Sequence, residues 1–258
     1  MSEVFNLAEL STHQLQAALS TDATTVALLP IGSTEPHGPH LPLRTDVTLA
    51  EENARRAAPL FPADFRIFIV PSLPFGVTDF AAGFRGAIGL TPNTFECVIN
   101  ELVSALLDDG FDHVSLINHH LDPNHLKALQ RALVRLKETY GMHRVSHPSV
   151  LEGRWGRQLG AEFRSGACHA GEYEGSMVLA AEPELFQHHE ADTLEKLDLS
   201  LSDGIKRGVQ TFKELGMTEA YTGDPGKATA EFGHELYAVM CDMVVTTVRE
   251  QLRRNHEN

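Results

Sequence analysis

The stretch "HVSLINHHLDPNHLKALQRALVRLKETYG" (113–141) carries two different periodicities. Its opening "HVSLIN" is a short apolar run with β-branched residues, which predicts a buried strand. In "LKALQRALVRLKETYG" (126–141) apolar residues return every three or four positions, which predicts an amphipathic helix ending at a glycine. Between the two lies "HHLDPNH", a loop holding His119, His120, Asp122 and His125. A strand that runs through a short loop into a helix is the repeating unit of a parallel sheet with helices packed on it.

Outward from this stretch the same unit recurs. "TTVALLPIG" (24–32) reads as a buried strand that stops at Pro30 and Gly32. "FRIFIVPSLPFG" (65–76) reads as a second, broken by prolines, and "HRVSHPSV" (143–150) as one more. Helical spacing appears in 48–61, in 91–111, in 173–186 and over 226–254. The stretch 187–225 is the most polar and least patterned, and reads as excursions on the same domain. The alternation predicts an α/β fold with a mainly parallel sheet covered on both faces, in one domain spanning 1–258.

Composition narrows the function. With 258 residues, 42% hydrophobic and 22% charged, the chain can bury a core without disulfides. Cys97, Cys168 and Cys241 lie far apart and form no CxxC, which argues against a zinc ribbon and fits a reducing cytosol. A net charge of −14 with no basic stripe argues against a nucleic-acid partner. The N-terminus has no basic start followed by an apolar block, and no apolar run is long enough to span a bilayer. A cytoplasmic protein with no membrane partner is therefore expected.

In open α/β sheets, ligands bind beyond the carboxyl ends of the strands. Three segments rich in ligand-type side chains are placed for that edge. The first is Glu35, His37, His40 and Asp46; the second is Asn118, His119, His120, Asp122 and His125; the third, in "CHAGEYEGS" (168–176), is His169, Glu172 and Glu174. Glu35 and His37 are two residues apart, as are His120 and Asp122, so each pair shares one side of an extended loop. With Asp46 they make five mixed imidazole and carboxylate ligands, a set that suits Zn2+ or Mn2+ and not Ca2+. A carboxylate such as Asp46 can bridge two ions. Each segment alone also reads as a solvated turn or a helix cap; their coincidence at strand ends favours a metal site. His13, His143, His147, His188, His189, His234 and His256 lack such company and read as structural or surface residues. Cys168 and His169 are adjacent, so on an extended chain they point apart and make a poor nucleophile–base pair.

These segments resemble the creatininase (creatinine amidohydrolase) family. Its first signature is matched by "GSTEPHGPHLPLRTD" (32–46), and "NHH" (118–120) corresponds to its "NGH". "HAGEYEGS" (169–176) and "GDPGKATAEFG" (223–233) follow in the family's order. The resemblance implies a three-layer α/β/α sandwich with a mainly parallel central sheet. It implies a centre of two divalent metal ions, Zn2+ and/or Mn2+, with Fe2+ also found in the family. One ion would take Glu35, Asp46 and His120, the other His37, Asp46 and Asp122, with Asp46 shared. The implied chemistry is hydrolysis of an amide-type C–N bond, with His169 passing a proton to the leaving nitrogen and Glu174 supporting it. Family members assemble as homo-oligomers, often hexamers.

The departures bear on substrate. His119 stands where the family has glycine, and Asp122 where creatinine-binding members carry glutamate. In "GFRGAIG" (83–89), Arg85 and Ala87 replace a proline and a threonine, and Trp155 is the only tryptophan. Creatinine is therefore not the expected substrate. His119, His125, Arg85, Thr78 and Glu172 are candidate substrate contacts, Arg85 through a bidentate pair with a carboxylate. The expected substrate is a small amide, lactam or formamide. A peptidase on a short modified peptide, a C–C hydrolase of a cyclic ketone, and a non-catalytic metal-binding protein are the alternatives.

Overall fold

The computed structural model describes residues 1–253, within which five strands form one parallel sheet. They are β1 (Glu3–Asn6), β2 (Thr24–Ile31), β3 (Phe65–Ile69), β4 (His113–Asn118) and β5 (Val145–Ser146), in the spatial order β1–β3–β2–β4–β5. The first helices are α1 (Thr12–Leu19), α2 (Thr45–Ala57), α3 (Pro92–Asp108) and α4 (Pro123–Tyr140). After them come α5 (Gly153–Gly156), α6 (Gly160–Ser165), α7 (Glu172–Ala181), α8 (His188–Ala191), α9 (Leu201–Lys206), α10 (Phe212–Leu215) and α11 (Ala230–Arg253).

Strand alternation sorts the layers. Ala27, Leu29 and Ile31 of β2 face one way and pack with Phe95 and Ile99 of α3 and Leu129 and Leu133 of α4. Val26 and Leu28 face the other way, onto Ala54 and Ala57 of α2 and Val244 and Val248 of α11. The result is a three-layer α/β/α sandwich. Each large apolar side chain buried this way contributes about 1.5–3 kcal/mol. No helix among the described residues is long and apolar enough to cross a membrane.

Pro30 lies inside β2, not at its end. Its carbonyl accepts from Leu73 N at 2.9 Å, so its nitrogen faces the β3 side. β3 has already ended at Ile69, so no ladder partner needs the missing N–H. The prolines at 71 and 74 explain why β3 is shorter than the 65–76 run suggests. β5 is also shorter than expected, and α2 starts three residues earlier than 48, at Thr45. α4 begins at Pro123 because Asp122 caps it, accepting from Asn124 N at 2.7 Å and His125 N at 3.2 Å. β1 and α1 stand outside the expected elements, although Ser11 and Gln14 form a capping box on α1. The stretch 187–225 holds α8, α9 and α10, and Leu201, Phe212, Leu215 and Met217 there form a small core with Phe80 and Ala81. The expected C-terminal helix 226–254 is seen as α11, while residue 254 and His256 lie outside the described residues.

Ile31 of β2 pairs with Asn118 of β4. The two loops that follow therefore leave the same edge of the sheet side by side.

Candidate metal centre

Three glycine- and asparagine-dependent turns set the site. Gly32 follows β2, and a Cβ there would lie 2.5 Å from Val47 N, so only glycine lets the first turn of α2 rest on the strand end. That contact delivers Asp46 to the edge. Asn118 folds back on its own loop, donating from Nδ2 to His120 O at 2.7 Å. Gly76 leaves room for the His120 and His125 rings, which a Cβ would meet at 3.0 and 2.8 Å.

Glu35, Asp46 and His120 offer ligand atoms within 4.8 Å of one another, as do His37, Asp46 and Glu174. Asp46 belongs to both trios: Oδ1 is 3.2 Å from His37 Nε2 and Oδ2 is 2.9 Å from His120 Nδ1. A third group joins Glu35, His37 and His169. All of these side chains are buried.

Both histidines of the trios are set in advance as ligands. His37 donates Nδ1–H to Glu35 O at 3.0 Å, which leaves Nε2 with its lone pair toward Asp46 and Glu174. His120 donates Nε2–H to Val77 O at 2.7 Å, leaving Nδ1 toward Glu35 and Asp46. A backbone carbonyl on the outer ring nitrogen is the usual way a protein fixes the tautomer of a metal-binding histidine. Glu35 Oε2, His37 Nε2 and Asp46 Oδ2 are buried without a well-directed hydrogen bond. Three carboxylates and two imidazoles converging on unsatisfied atoms fit divalent cations of the zinc and manganese type.

The electrostatics say the same. Burial disfavours a charged His37, yet Asp46 and Glu174 push it up to about 10. Burial also opposes charge on His120, and Glu35 and Asp46 push it up to about 10. Burial would raise Asp46, but the His37 and His120 rings hold it well below the usual carboxylate range. Glu35 and Glu174 are raised, chiefly by burial. Without a cation, protons must balance this cluster.

His169 lies against it. Nε2–H donates to Pro36 O at 3.0 Å, so the Nδ1 lone pair faces Glu35 Oε1, 4.0 Å away. Its ring lies between those of His37 and Phe212, tilted to each, with centroids 4.3 Å away on each side. Burial and the neighbouring His37 lower its pKa far below the ordinary histidine value, so the ring is neutral. Glu174 accepts from Ala170 N at 2.6 Å and so pins the residue that follows His169. Ala170 has φ 54, a left-handed conformation costly for alanine.

The other expected residues fall elsewhere. Asp122 is not in either trio. Oδ1 caps α4 and Oδ2 accepts from Phe80 N at 2.7 Å, while Asp122 also lines the cavity over the trios; the carboxylate grouped with His37 and Asp46 is that of Glu174, where Asp122 was expected. His125 is buried against Phe95, donating to Asn118 Oδ1 at 2.9 Å and accepting from Val77 N at 3.3 Å, so both ring nitrogens are taken. His119 is buried and meets Asn53 Nδ2 at 2.9 Å. His40 is buried between Phe186 and Tyr221. Thr78 opens on a separate surface hollow with Phe84 and Gly89, Arg85 is exposed, and Glu172 faces another hollow beside Lys196. None of the five expected substrate contacts lines the cavity over the metal trios.

That cavity has a volume of about 380 Å3. Glu35, Asp46, His120 and Glu174 form its floor, and Phe80, Leu121, Leu201 and Phe212 are among its apolar walls. Sequence reasoning missed these walls. It also missed Glu162, which accepts from the N–H of Glu172 (3.1 Å), Tyr173 (3.0 Å) and Asp224 (2.8 Å). It thereby caps α7, whose own Gly171 cannot, and ties the "GDP" turn to the helix that carries Glu174. The only signal available was the pair of glycines, Gly171 and Gly223, that leave room for its carboxylate. A larger hollow of about 860 Å3 lies at the opposite, amino end of the strands, lined by Thr24, Phe65 and Arg144, far from this chemistry.

The sequence profile described as creatinine amidohydrolase matches residues 8–248. A mycofactocin precursor peptide peptidase from Mycolicibacterium smegmatis is 28% identical over 223 residues, covering 83% of this chain and 81% of its own. One from Mycobacterium ulcerans is 28% identical over 231 residues, covering 86% and 83%. Among solved structures, a Bacteroides fragilis protein assigned as a creatinine amidohydrolase superposes with a TM-score of 0.75 at 23% identity, over 98% of both chains. The manganese form of a creatininase gives 0.72 at 20% identity, over 97% of this chain and 99% of its own. These two share the fold.

Proposed function

The chain belongs to the creatinine amidohydrolase (creatininase) family, and from that premise we propose that it is a metal-dependent hydrolase of an amide-type C–N bond. The observation that carries the reading is the preset pair of imidazoles: His37 and His120 each spend the outer N–H on a backbone carbonyl and turn the other nitrogen to shared carboxylates. Glu35, Asp46 and His120 would hold one ion, and His37, Asp46 and Glu174 the other, with Asp46 common to both. Divalent Zn2+ or Mn2+, with Fe2+ also suited to these donors, would supply Lewis acidity, acidifying a water and polarising the substrate carbonyl.

The chain's own residues do the rest. His169 is neutral and presents Nδ1, so it can take a proton there and return it to the departing nitrogen. Pro36 O and the Phe212 ring fix the orientation of that imidazole, and Glu174 holds the backbone beside it. Phe80 and Phe212 exclude water from the side where the substrate lies.

The first substrate class is a small amide, lactam or formamide. A short peptide is the second, favoured by the names of the two peptidase relatives. Two further parts of the reading concern context. The exposed apolar side chains Leu43, Phe75 and Ile88 support self-association into a homo-oligomer, which sedimentation will test. Three unpaired cysteines support a cytoplasmic location.

The testing experiment is metal content per chain, on protein purified without chelator, alongside a panel of cyclic amides, N-formyl compounds and short peptides. About two equivalents in the wild type, lost in Asp46→Ala, together with turnover of one class, is the expected result. A chain that binds no metal after reconstitution removes the reading.

A further inference from the structure

Asp46 and Asn53 lie about two turns apart on α2, so both side chains leave the same face of that helix. Asp46 meets the His120 ring at 2.9 Å. Asn53 meets the ring of the residue before it, with Nδ2 2.9 Å from His119 Nε2. Asn53 is 1% exposed and His119 7%, so this second contact is shielded from water. Asn53 Oδ1 faces Cys241 Sγ at 3.8 Å, which leaves Nδ2 as the donor and the imidazole nitrogen as the acceptor. Helix α2 is thus tied to the loop after β4 at two points, one inside a metal trio and one about 10 Å further along the helix. The loop is held at the same place. His119 N donates to Ile31 O at 3.1 Å, and Asn118 Nδ2 donates to His120 O at 2.7 Å. The backbone between the His119 and His120 rings is therefore pinned on both sides.

We propose that His119 is a positioning residue, whose hydrogen bond with Asn53 holds α2 against the β4 loop and so presets the Asp46–His120 pair to receive an ion. The inference rests on the metal assignment above and adds to it the contact that fixes the site before metal arrives. Gly32 sets how closely the first turn of α2 approaches the strand end. Beyond that turn α2 packs through Ala54 and Ala57, side chains too small to interlock deeply with their neighbours. The Asn53–His119 bond supplies the directional contact that this smooth face lacks, and a directional bond fixes the roll of the helix. Ligands held at their final separation bind more tightly, because little ordering is left to be done on binding. Glycine, the family's residue at this position, has no ring to offer, so the device belongs to this chain.

The test reads the Zn2+ affinity of the full chain by competition with a chromophoric chelator, beside its melting temperature in excess chelator. The double variant Asn53→Leu with His119→Leu removes the bond and orphans neither partner, so it should melt near the wild type when metal-free. It should bind Zn2+ about tenfold more weakly, the lower end of what loss of an outer hydrogen-bond partner costs a metal site. His119→Gln, whose terminal amide can place an acceptor where Nε2 was, should stay within about twofold of the wild type. A double variant that binds Zn2+ as tightly as the wild type overturns the positioning role. So does a His119→Gln chain that loses as much affinity as the double variant. If the double variant does not fold, His119→Gln against His119→Asn decides: the asparagine amide falls short of the Nε2 position, and equal affinities overturn the proposal. A wild-type chain that binds no Zn2+ removes the metal assignment and this inference together, whereas tight binding by both wild type and double variant removes this inference alone.

Discussion

Glu174 and Asp122 compete for one role, and two isosteric substitutions separate them. In Asp122→Asn the remaining carbonyl oxygen can still cap α4, since asparagine is as good an N-cap as aspartate. What is lost is the acceptor for Phe80 N, 2.7 Å away and buried, which would now face an NH2 group. An orphaned buried N–H costs about 1–3 kcal/mol. For a chain of this length that lowers Tm by about 2–4 °C per kcal/mol, so a fall of about 5 °C is expected. Metal content should stay at about two per chain.

Glu174→Gln acts in the opposite way. The amide oxygen can still accept from Ala170 N, now at 2.6 Å from the carboxylate, so the fold changes little. The anionic donor beside His37 Nε2 is gone, and one equivalent of metal should go with it. The assay is elemental analysis of dialysed protein, paired with thermal melts in chelator to separate folding from metal binding. A variant pair in which Asp122→Asn loses an ion and Glu174→Gln keeps both would refute the assignment of the second trio.

Three further outcomes are expected. Glu162→Ala leaves three backbone N–H groups without an acceptor, two of them at the start of α7, and should cost about 3 kcal/mol in urea melts; a loss below about 1 kcal/mol would count against its capping role. His169→Ala should keep its metal and lose about 100- to 10,000-fold in kcat, so an unchanged kcat would dismiss it as the proton carrier. The third concerns pH. His37 and His120 are raised to about 10 in the metal-free chain, so their stabilising protonation is complete below the unfolded value of 6.5 and is lost as pH rises through about 10. The raised Glu35 and Glu174 act with the same sign, whereas the depressed Asp46 stabilises above its unfolded value and loses that only in acid. Metal competes with those protons, so the rise in Tm on adding Zn2+ should widen between about pH 6 and about pH 9; a narrowing would contradict the cluster.

Local pattern made part of this fold legible. The strand–loop–helix of 113–141 and the buried run at 24–32 lie where the sequence puts them, because buried parallel strands and an amphipathic helix leave short-range periodicities. Two of the three loops that meet at the site follow paired strands, so their convergence was legible too. What stayed hidden was anything decided by partners remote in sequence. Phe212 and Leu201 are isolated apolar residues in a polar stretch, and only their contact with Phe80 and Ala81, more than a hundred residues away, makes them a cavity wall. Glu162 caps a helix that begins ten residues later, a spacing with no signature. β1 was too short and exposed to show a strand pattern at all.

The proposed exchange of Asp122 for Glu174 is a matter of reach. Asp122 has one methylene fewer than the glutamate expected of creatinine-binding relatives, and that shorter side chain curls back onto the N–H groups of its own helix start. Its second oxygen secures Phe80, which fixes an apolar wall of the cavity. Glu174 sits one helical turn beyond Ala170, with enough length to hold that backbone N–H and still approach His37. On the proposed assignment, Asp122 supports the cavity wall through Phe80 N while Glu174 of α7 takes the place beside His37. The ligand-type floor and the apolar enclosure above it are separable: on the proposed reading Glu35, His37, Asp46 and His120 would set which bond can break, whereas Phe80, Phe212 and Leu201 would set which molecule brings it there.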